Sequence, residues 1–98
     1  MKALDTTRYT DKSEIINIIF SNKEVLNTSE DHLNLGLDLA KALSLGNLHK
    51  QHVLITFKND KSEILKTIVT VWAVTEKYVI LKGGVSLPIK SIVKVDFG

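Results

Sequence analysis

The order of apolar and polar residues divides the chain into a helical first half and a β-rich second half. Up to about residue 50, apolar residues recur at helical spacing, whereas from Gln51 onward apolar and polar residues alternate, as they do along a half-buried strand. With 98 residues, the chain is long enough to bury one core. The pattern therefore predicts a single domain over residues 1–98, helical over 1–50 and all-β over 51–98.

Residues 11–22 are predicted to form a first helix. Asp11 and Glu14 have the spacing of a capping box, and four isoleucines and a phenylalanine follow them within residues 15–20. So short an apolar run also suits a buried strand, and its periodicity does not decide between the two. The sequence therefore does not decide whether residues 15–20 form a helix or a strand.

A second helix is predicted from Ser29 to Leu45. Thr28 and Asp31 have the spacing of an N-cap, and Glu30 and Asp31 place negative charge at the positive end of the helix dipole. Gly46 follows the last apolar residue and is predicted to end the helix in the left-handed conformation.

Apolar side chains cover more than half of this second helix, so most of its circumference is expected to be buried. In a helix interior, glycine lowers the stability of the helix by about 1 kcal/mol relative to alanine. We therefore expect Gly36 to let another backbone approach closely. The polar residues form one narrow stripe, and the apolar residues fill the rest. The stripe is Glu30, Asn34, Asp38 and Lys41; the apolar positions are Leu33, Leu35, Leu37, Leu39, Ala40, Ala42 and Leu43.

Five short strands are predicted in the second half. Gly83 and Gly84 predict a tight hairpin between two of them, and Pro88, which has no backbone donor, predicts an edge or a bulge. An open sheet of this size would expose its edges, so the strands are expected to close into a barrel over 51–98. The predicted strands are residues 53–57, 64–75, 78–82, 85–89 and 93–97.

Half of the chain, from about Gln51 to Phe97, resembles SH3-like and Sm-like small barrels. The resemblance is carried by the long second strand, the YVILKGG hairpin and the VSLPIKSIVKV segment, which looks like the strand and 3₁₀ turn that lead into the closing strand of such barrels. It implies an α+β fold in which N-terminal helices pack on a five-stranded SH3-like antiparallel β-barrel. The whole chain, with its TVWAVTEKYVILKGGVSLPI core, is also similar to uncharacterised small bacterial proteins.

The resemblance also implies a nucleic-acid surface. In Sm-like RNA binders a hairpin with a cation followed by glycine contacts RNA, and Lys82 and Gly83 match that pattern. The first Sm motif expects a glycine early in the second strand and an acidic residue near its end. This chain has Lys66-Thr67 and Trp72-Ala73-Val74 there.

Composition narrows the functional classes. The chain contains no cysteine, which excludes disulfides and cysteine-based zinc sites and fits a reducing, cytoplasmic location. Its first ten residues are polar and lack the apolar core of a secretory signal, and no apolar run approaches the length of a membrane span. Twelve of the 13 cationic side chains are lysines, which argues against sequence-specific nucleic-acid recognition because that favours arginine.

No motif predicts catalysis, so we expect a protein that is not an enzyme and needs no cofactor. There is no P-loop, dinucleotide-binding glycine pattern or serine-nucleophile setting. His49 and His52 have an H-x-x-H spacing that suits zinc, but they lie in a connector, where we interpret them as polar linker residues. His32 is interpreted as a polar residue of the helix start.

Trp72 and Tyr78 flank one predicted turn and, with Lys82 and Gly83, form the surface that we predict for a ligand or nucleic acid. Packing inside or at the rim of the barrel is the other interpretation of the two aromatic residues. Further members of an aromatic and basic surface would be Arg8, Tyr9, Lys66 and Lys77.

The supply of apolar residues exceeds what one small barrel needs. Leucine, isoleucine and valine make up 32 of 98 residues, so either the helices wrap the barrel fully or a surface remains for another chain. A homodimer is the partner hypothesis, because two-fold association is the commonest closed assembly. The sequence thus favours a non-catalytic, self-associating interaction module; the alternative is low-specificity binding of RNA or single-stranded DNA.

Overall fold

The computed structural model describes residues 8–21 and 23–97. This part of the chain forms one α-helix, two short 3₁₀ helices and seven strands in two sheets, so the α+β class is consistent with prediction. The 3₁₀ helices are Lys12–Asn17 and Ile89–Ser91. The other elements are β1 (Arg8–Tyr9), α1 (Ser29–His49), β2 (Val53–Lys58), β3 (Ile64–Val69), β4 (Val71–Val74), β5 (Tyr78–Leu81), β6 (Ser86–Pro88) and β7 (Ile92–Phe97).

The first sheet is built around β2, which pairs antiparallel with β3 on one side and β7 on the other. Val53 is the register partner of both Val69 and Phe97. The two-residue strand β1 extends this sheet by pairing in parallel with β3, which gives the order β1-β3-β2-β7.

The second sheet contains three antiparallel strands in the order β4-β5-β6. The chain turns between β5 and β6 at Gly83 and Gly84, whose φ angles of 99° and 87° require glycine or strain any other residue. Pro88 lies in β6, an edge strand. The predicted hairpin and the predicted edge position of the proline are therefore confirmed.

The predicted five-stranded closed barrel is wrong. The predicted strand over 64–75 is divided at Thr70, so that β3 belongs to the first sheet and β4 to the second. Likewise β6 and β7 lie in different sheets, and no ladder closes the ring among the described strands. Sheet edges that a closed barrel would remove are instead covered by α1, which packs against β4 and β7, one edge strand from each sheet.

The predicted N-terminal pair of helices is also wrong, because the first is a 3₁₀ helix of six residues, Lys12–Asn17. The amide of Glu14 donates to the carbonyl of Asp11 over 2.9 Å, which closes a three-residue turn. Ile15 is fully buried and anchors this turn in the core. β-Branched isoleucines lower the propensity for a longer α-helix. Asn22, the predicted end of the helix, lies outside the described residues.

The second part of this segment is extended. Phe20 forms an isolated antiparallel bridge with Asn59, and the amide of Asp60 donates to the carbonyl of Ile19 over 2.8 Å. The rings of Phe20 and Phe57 also pack with centroids 5.6 Å apart. Residues 15–20 therefore contain both alternatives in succession, one helical turn and then a strand-like stretch.

Helix α1 begins where predicted and ends later. The amide of Asp31 donates to Thr28 Oγ1 over 3.0 Å, which confirms the N-cap. The helix continues through Gly46 to His49, and Lys50 is the residue that adopts the left-handed conformation, with φ 53°. The Lys50 amide caps the helix by donating to the carbonyl of Gly46. In the part of the chain that the structure describes, no helix combines the length and apolarity needed to cross a membrane.

Neither helical glycine has the role predicted for it. A Cβ atom at Gly46 would collide with the carbonyl of Val71, so Gly46 allows the backbone of α1 to pack directly on β4. A Cβ atom at Gly36 would have nothing within 4 Å. The close backbone approach expected at Gly36 therefore occurs at Gly46.

The core lies between the two sheets and the inner face of α1. The helix contributes Leu35, Leu39 and Ala42, with Leu43 partly buried beside them. The remaining core residues are Ile15, Val53, Ile55, Phe57, Leu65, Val69, Val71, Val79, Leu81, Leu87, Ile92 and Val95.

Alanine at the two helical glycines is expected to have opposite effects on stability. Gly46→Ala should lower the free energy of unfolding by about 1–3 kcal/mol, because α1 must move away from β4. Gly36→Ala should raise it by about 0.5–1 kcal/mol, because alanine favours the helix and meets no neighbour. Urea unfolding followed by circular dichroism measures both. Equal effects of the two variants would contradict this packing.

A buried hydroxyl in β3 gives a second stability prediction. Thr67 is 1% exposed and its Oγ1 makes no hydrogen bond among the described residues. Thr67→Val should raise the free energy of unfolding by about 1 kcal/mol, because it removes an unsatisfied polar group at nearly constant volume. Thr75→Val is the matched control: Thr75 Oγ1 accepts from the amide of Tyr78 over 2.9 Å, so this variant should be less stable than the parent. A loss of stability in Thr67→Val would refute the assignment.

Candidate binding surfaces

The structure brings Trp72 and Lys82 to one cleft and places Tyr78 in another, while Gly83 directly follows Lys82 in the hairpin. In the antiparallel register of β4 and β5, Val71 is opposite Leu81. Trp72 therefore lies beside the end of β5 that leads to Lys82, whereas Tyr78 starts β5 at the other end of the pair.

Trp72 is placed on the surface by a β-bulge. Val71 pairs with Leu81 and Ala73 pairs with Ile80, which leaves Trp72 as the extra residue between them. Its side chain remains 49% exposed. A bulge redirects the side chain that it contains, so the indole is a surface group and not part of the core.

A cleft of about 260 Å³ connects Trp72 and Lys82 with the end of α1. Lys82 is held there by its amide, which donates to the carbonyl of Thr70 over 2.8 Å. Lys50 reaches the cleft because its left-handed conformation ends the helix at this point. The six described lining residues include two lysines and an indole but no acid; they are Gly46, Asn47, Lys50, Thr70, Trp72 and Lys82. We call this site the Trp72 cleft.

Lys50 is the charged member of the Trp72 cleft that the sequence did not indicate. The predicted end of the helix at Leu45 placed Lys50 in a connector without a defined neighbour. Its position follows from the four additional residues of α1, which carry the chain to His49. The packing of Gly46 against Val71 then fixes this helix end beside β4.

Tyr78 lines a different cleft, of about 490 Å³, on the turn between β4 and β5. Thr75 organises this turn, since its Oγ1 accepts from the amides of Lys77 and Tyr78. The cleft has mixed charge: its lining residues are Glu24, His32, Glu76, Lys77, Tyr78, Pro88, Ile89 and Lys90.

The other residues proposed for an aromatic and basic surface do not extend the Trp72 cleft. Tyr9 and Lys66 are register partners at the β1 edge of the first sheet, while Trp72 belongs to the second sheet. Arg8 lies in β1, and its side chain is outside the described part of the structure. Lys77 lines the cleft of Tyr78.

The histidines are dispersed. His49 is the last residue of α1 and His52 directly precedes β2, with the left-handed Lys50 interrupting the helical spacing between them. His32 Nε2 lies 2.8 Å from the carbonyl of Leu26 and 3.7 Å from the carboxylate of Glu24. Within residues 8–21 and 23–97, no three His, Cys, Asp or Glu side chains converge on a position for a metal ion.

The second surface is a side of α1 that contacts neither sheet. Leu33, Leu37 and Leu48 are 64%, 61% and 73% exposed, although the sequence predicted burial for most of the helix. Burial is instead confined to the opposite side, where Leu35, Leu39, Ala42 and Gly46 pack on the sheets. We define the outer face of α1 by five residues that fall on one stripe of the helix: Leu33, Leu37, Ala40, Ser44 and Leu48.

The two ends of α1 carry opposite charge. Glu30 and Asp31 are exposed in the first turn, whereas Lys50 caps the last turn beside His49. Lys41 is drawn to one side, with its ammonium 4.5 Å from the centre of the Phe97 ring. The middle of the outer face is therefore apolar and uncharged, and it lies between an acidic helix start and a basic helix end.

Comparisons with models of protein families, with curated proteins and with solved structures found no significant match to this chain. The similarity to SH3-like and Sm-like proteins, and to small bacterial proteins, therefore stays a prediction. The two surfaces are therefore the basis from which the function is inferred.

Proposed function

We propose that this protein is a non-catalytic interaction module that self-associates through the outer face of α1. The observation that supports the proposal is the row of exposed leucines, Leu33, Leu37 and Leu48, on a helix whose inner face is already filled by the two sheets. A cytoplasmic location belongs to the same proposal, since a chain without cysteine suits a reducing compartment.

The energetics favour a reversible dimer. Full burial of a leucine side chain contributes about 1.5–3 kcal/mol relative to exposure, so several buried leucines offset part of the entropy lost on association. Helix α1 has 21 residues and is therefore about 30 Å long, which limits the contact between two helices to the small end of stable interfaces. We expect monomer and dimer to exchange with concentration.

A charge in the middle of the outer face should abolish the dimer. Sedimentation equilibrium over a range of concentrations should show a monomer–dimer equilibrium for the parent chain and a monomer for Leu37→Glu, because the glutamate would be desolvated in the contact. Ile16→Glu is the matched control: Ile16 is 71% exposed but lies in the first 3₁₀ helix, so this variant should dimerise like the parent. A parent chain that is monomeric at every concentration would exclude the proposal.

A second candidate function is low-specificity binding of RNA or single-stranded DNA, and it is favoured by the Trp72 cleft. An exposed indole accepts any base by stacking, which is worth about 1–3 kcal/mol per base in single-strand binders. Lys50 and Lys82 line the same cleft and supply positive charge for the adjoining phosphates. Tyr78, which the sequence added to this surface, lines another cleft and is not part of the proposal.

The fluorescence of Trp72 tests this second function directly, since it is the one tryptophan of the chain. Titration with a single-stranded oligothymidylate should quench the emission, and two phosphate contacts should give a slope of about −1.4 in log K against log salt concentration. Lys82→Ala, or Lys50→Gly, which suits the left-handed backbone, should reduce the slope by about half.

Lys61→Ala is the control for the fluorescence titration, because Lys61 is exposed but lines neither the Trp72 cleft nor the cleft of Tyr78. This variant should bind like the parent chain. Unchanged emission at low salt, or equal effects of Lys61→Ala and Lys82→Ala, would eliminate nucleic-acid binding at this cleft.

A further inference from the structure

We infer that two copies of this chain pair through the outer faces of their α1 helices in antiparallel orientation, with the leucines of each copy against the small residues of the other. The inference rests on the proposed self-association and adds the identity and orientation of the occupant. Two features of the exposed helix carry it: the order of large and small residues along the outer face, and the distribution of charge at its ends.

Large and small residues are segregated along the outer face. Leu33 and Leu37 are in the first half of the helix, and Ala40 and Ser44 are in the second half. Their spacings of four, three and four residues are the same in both directions, as in the seam of a two-helix contact. Reversal of the second helix therefore keeps all four residues in the contact.

Antiparallel pairing matches each large side chain with a small one. When the two helices run in opposite directions, Leu37 of one copy lies opposite Ala40 of the second copy, and Leu33 lies opposite Ser44. Leucines then fill the space that alanine and serine leave, which is the condition for dense packing. Leu48, one turn beyond Ser44, extends the apolar contact over the first turn of the second copy.

Parallel pairing would pack the same side chains less densely. Each residue would face its own counterpart, so that Leu37 meets Leu37 while Ala40 meets Ala40 and Ser44 meets Ser44. The first half of the contact would hold the helices apart, and the second half would then leave a void between small residues. Voids forfeit both dispersion contacts and apolar burial, so this orientation is disfavoured.

The charges favour the same orientation. Antiparallel pairing brings Glu30, which borders the outer face in the first turn, toward the basic helix end of the second copy, where Lys50 lines the Trp72 cleft. It also aligns the two helix dipoles in opposite directions. Parallel pairing would place acid beside acid and lysine beside lysine. The charges are exposed and each interaction is weak, but all of these interactions favour the antiparallel pair.

Single-cysteine variants distinguish the two orientations, because the parent chain contains no cysteine. In the antiparallel pair, Leu33→Cys of one copy lies opposite Ser44→Cys of the other, so mild oxidation of a mixture should give a heterodimeric disulfide. Two copies of the same variant should remain unlinked: 11 residues correspond to roughly 16 Å along the helices. A disulfide needs Cα atoms within about 7 Å.

The outcomes separate this inference from the proposed function. Efficient disulfide formation within each variant alone would indicate parallel pairing and overturn the inference, while self-association through the outer face would stand. Cross-linking of Ser44→Cys to Ile16→Cys as readily as to Leu33→Cys would indicate random collision and overturn it too. A parent chain that sediments as a monomer would exclude both the antiparallel pairing and the proposed self-association.

A charge reversal gives a second readout that does not depend on cysteine. Glu30→Lys should weaken the antiparallel dimer several-fold in sedimentation equilibrium, and added salt should reduce the difference from the parent chain. In a parallel pair the same change exchanges one like-charge contact for another and leaves the dissociation constant nearly unchanged. An unchanged or smaller dissociation constant would therefore overturn the antiparallel arrangement.

Discussion

The close contact between α1 and β4 is the constraint on which the rest of the structure depends. At Gly46 the helix backbone lies against the carbonyl of Val71, and any side chain larger than hydrogen would separate the two elements. This contact places α1 over both β4 and β7, each at the edge of its own sheet. Because the helix covers these edges, the two sheets share one core without closing into a barrel.

The same contact determines which residues are available for binding. Once Leu35, Leu39, Ala42 and Gly46 face the sheets, the rotation of α1 is fixed, and the leucines on the other side are directed away from the core. The contact also brings Lys50 at the helix end beside Trp72 and Lys82. Both candidate surfaces therefore follow from the orientation of α1 on the two sheets.

The features that the sequence predicted correctly depend on a few neighbouring residues. Thr28 caps the helix through an amide three positions away, Gly83 and Gly84 permit the positive φ angles of the hairpin, and Pro88 is confined to an edge. The neighbourhood of Trp72 and Lys82 was also predictable, because Trp72 belongs to one strand of an antiparallel pair and Lys82 directly follows the other. The separation of Tyr78 from Trp72 is known only from the strand register, which places Tyr78 at the opposite end of that pair.

By itself, then, the sequence determined the α+β class, the start of the long helix, the positions of most strands and the residues of the tight hairpin. Only the tertiary structure decided that the strand over 64–75 is shared between two sheets, that α1 extends to His49, and which of its leucines are buried. The physical reason is that apolar periodicity shows that a face can be buried but not what packs on it. With apolar residues around most of α1, the small residue that fits against β4 decides the inner face, and this fit exists only in three dimensions.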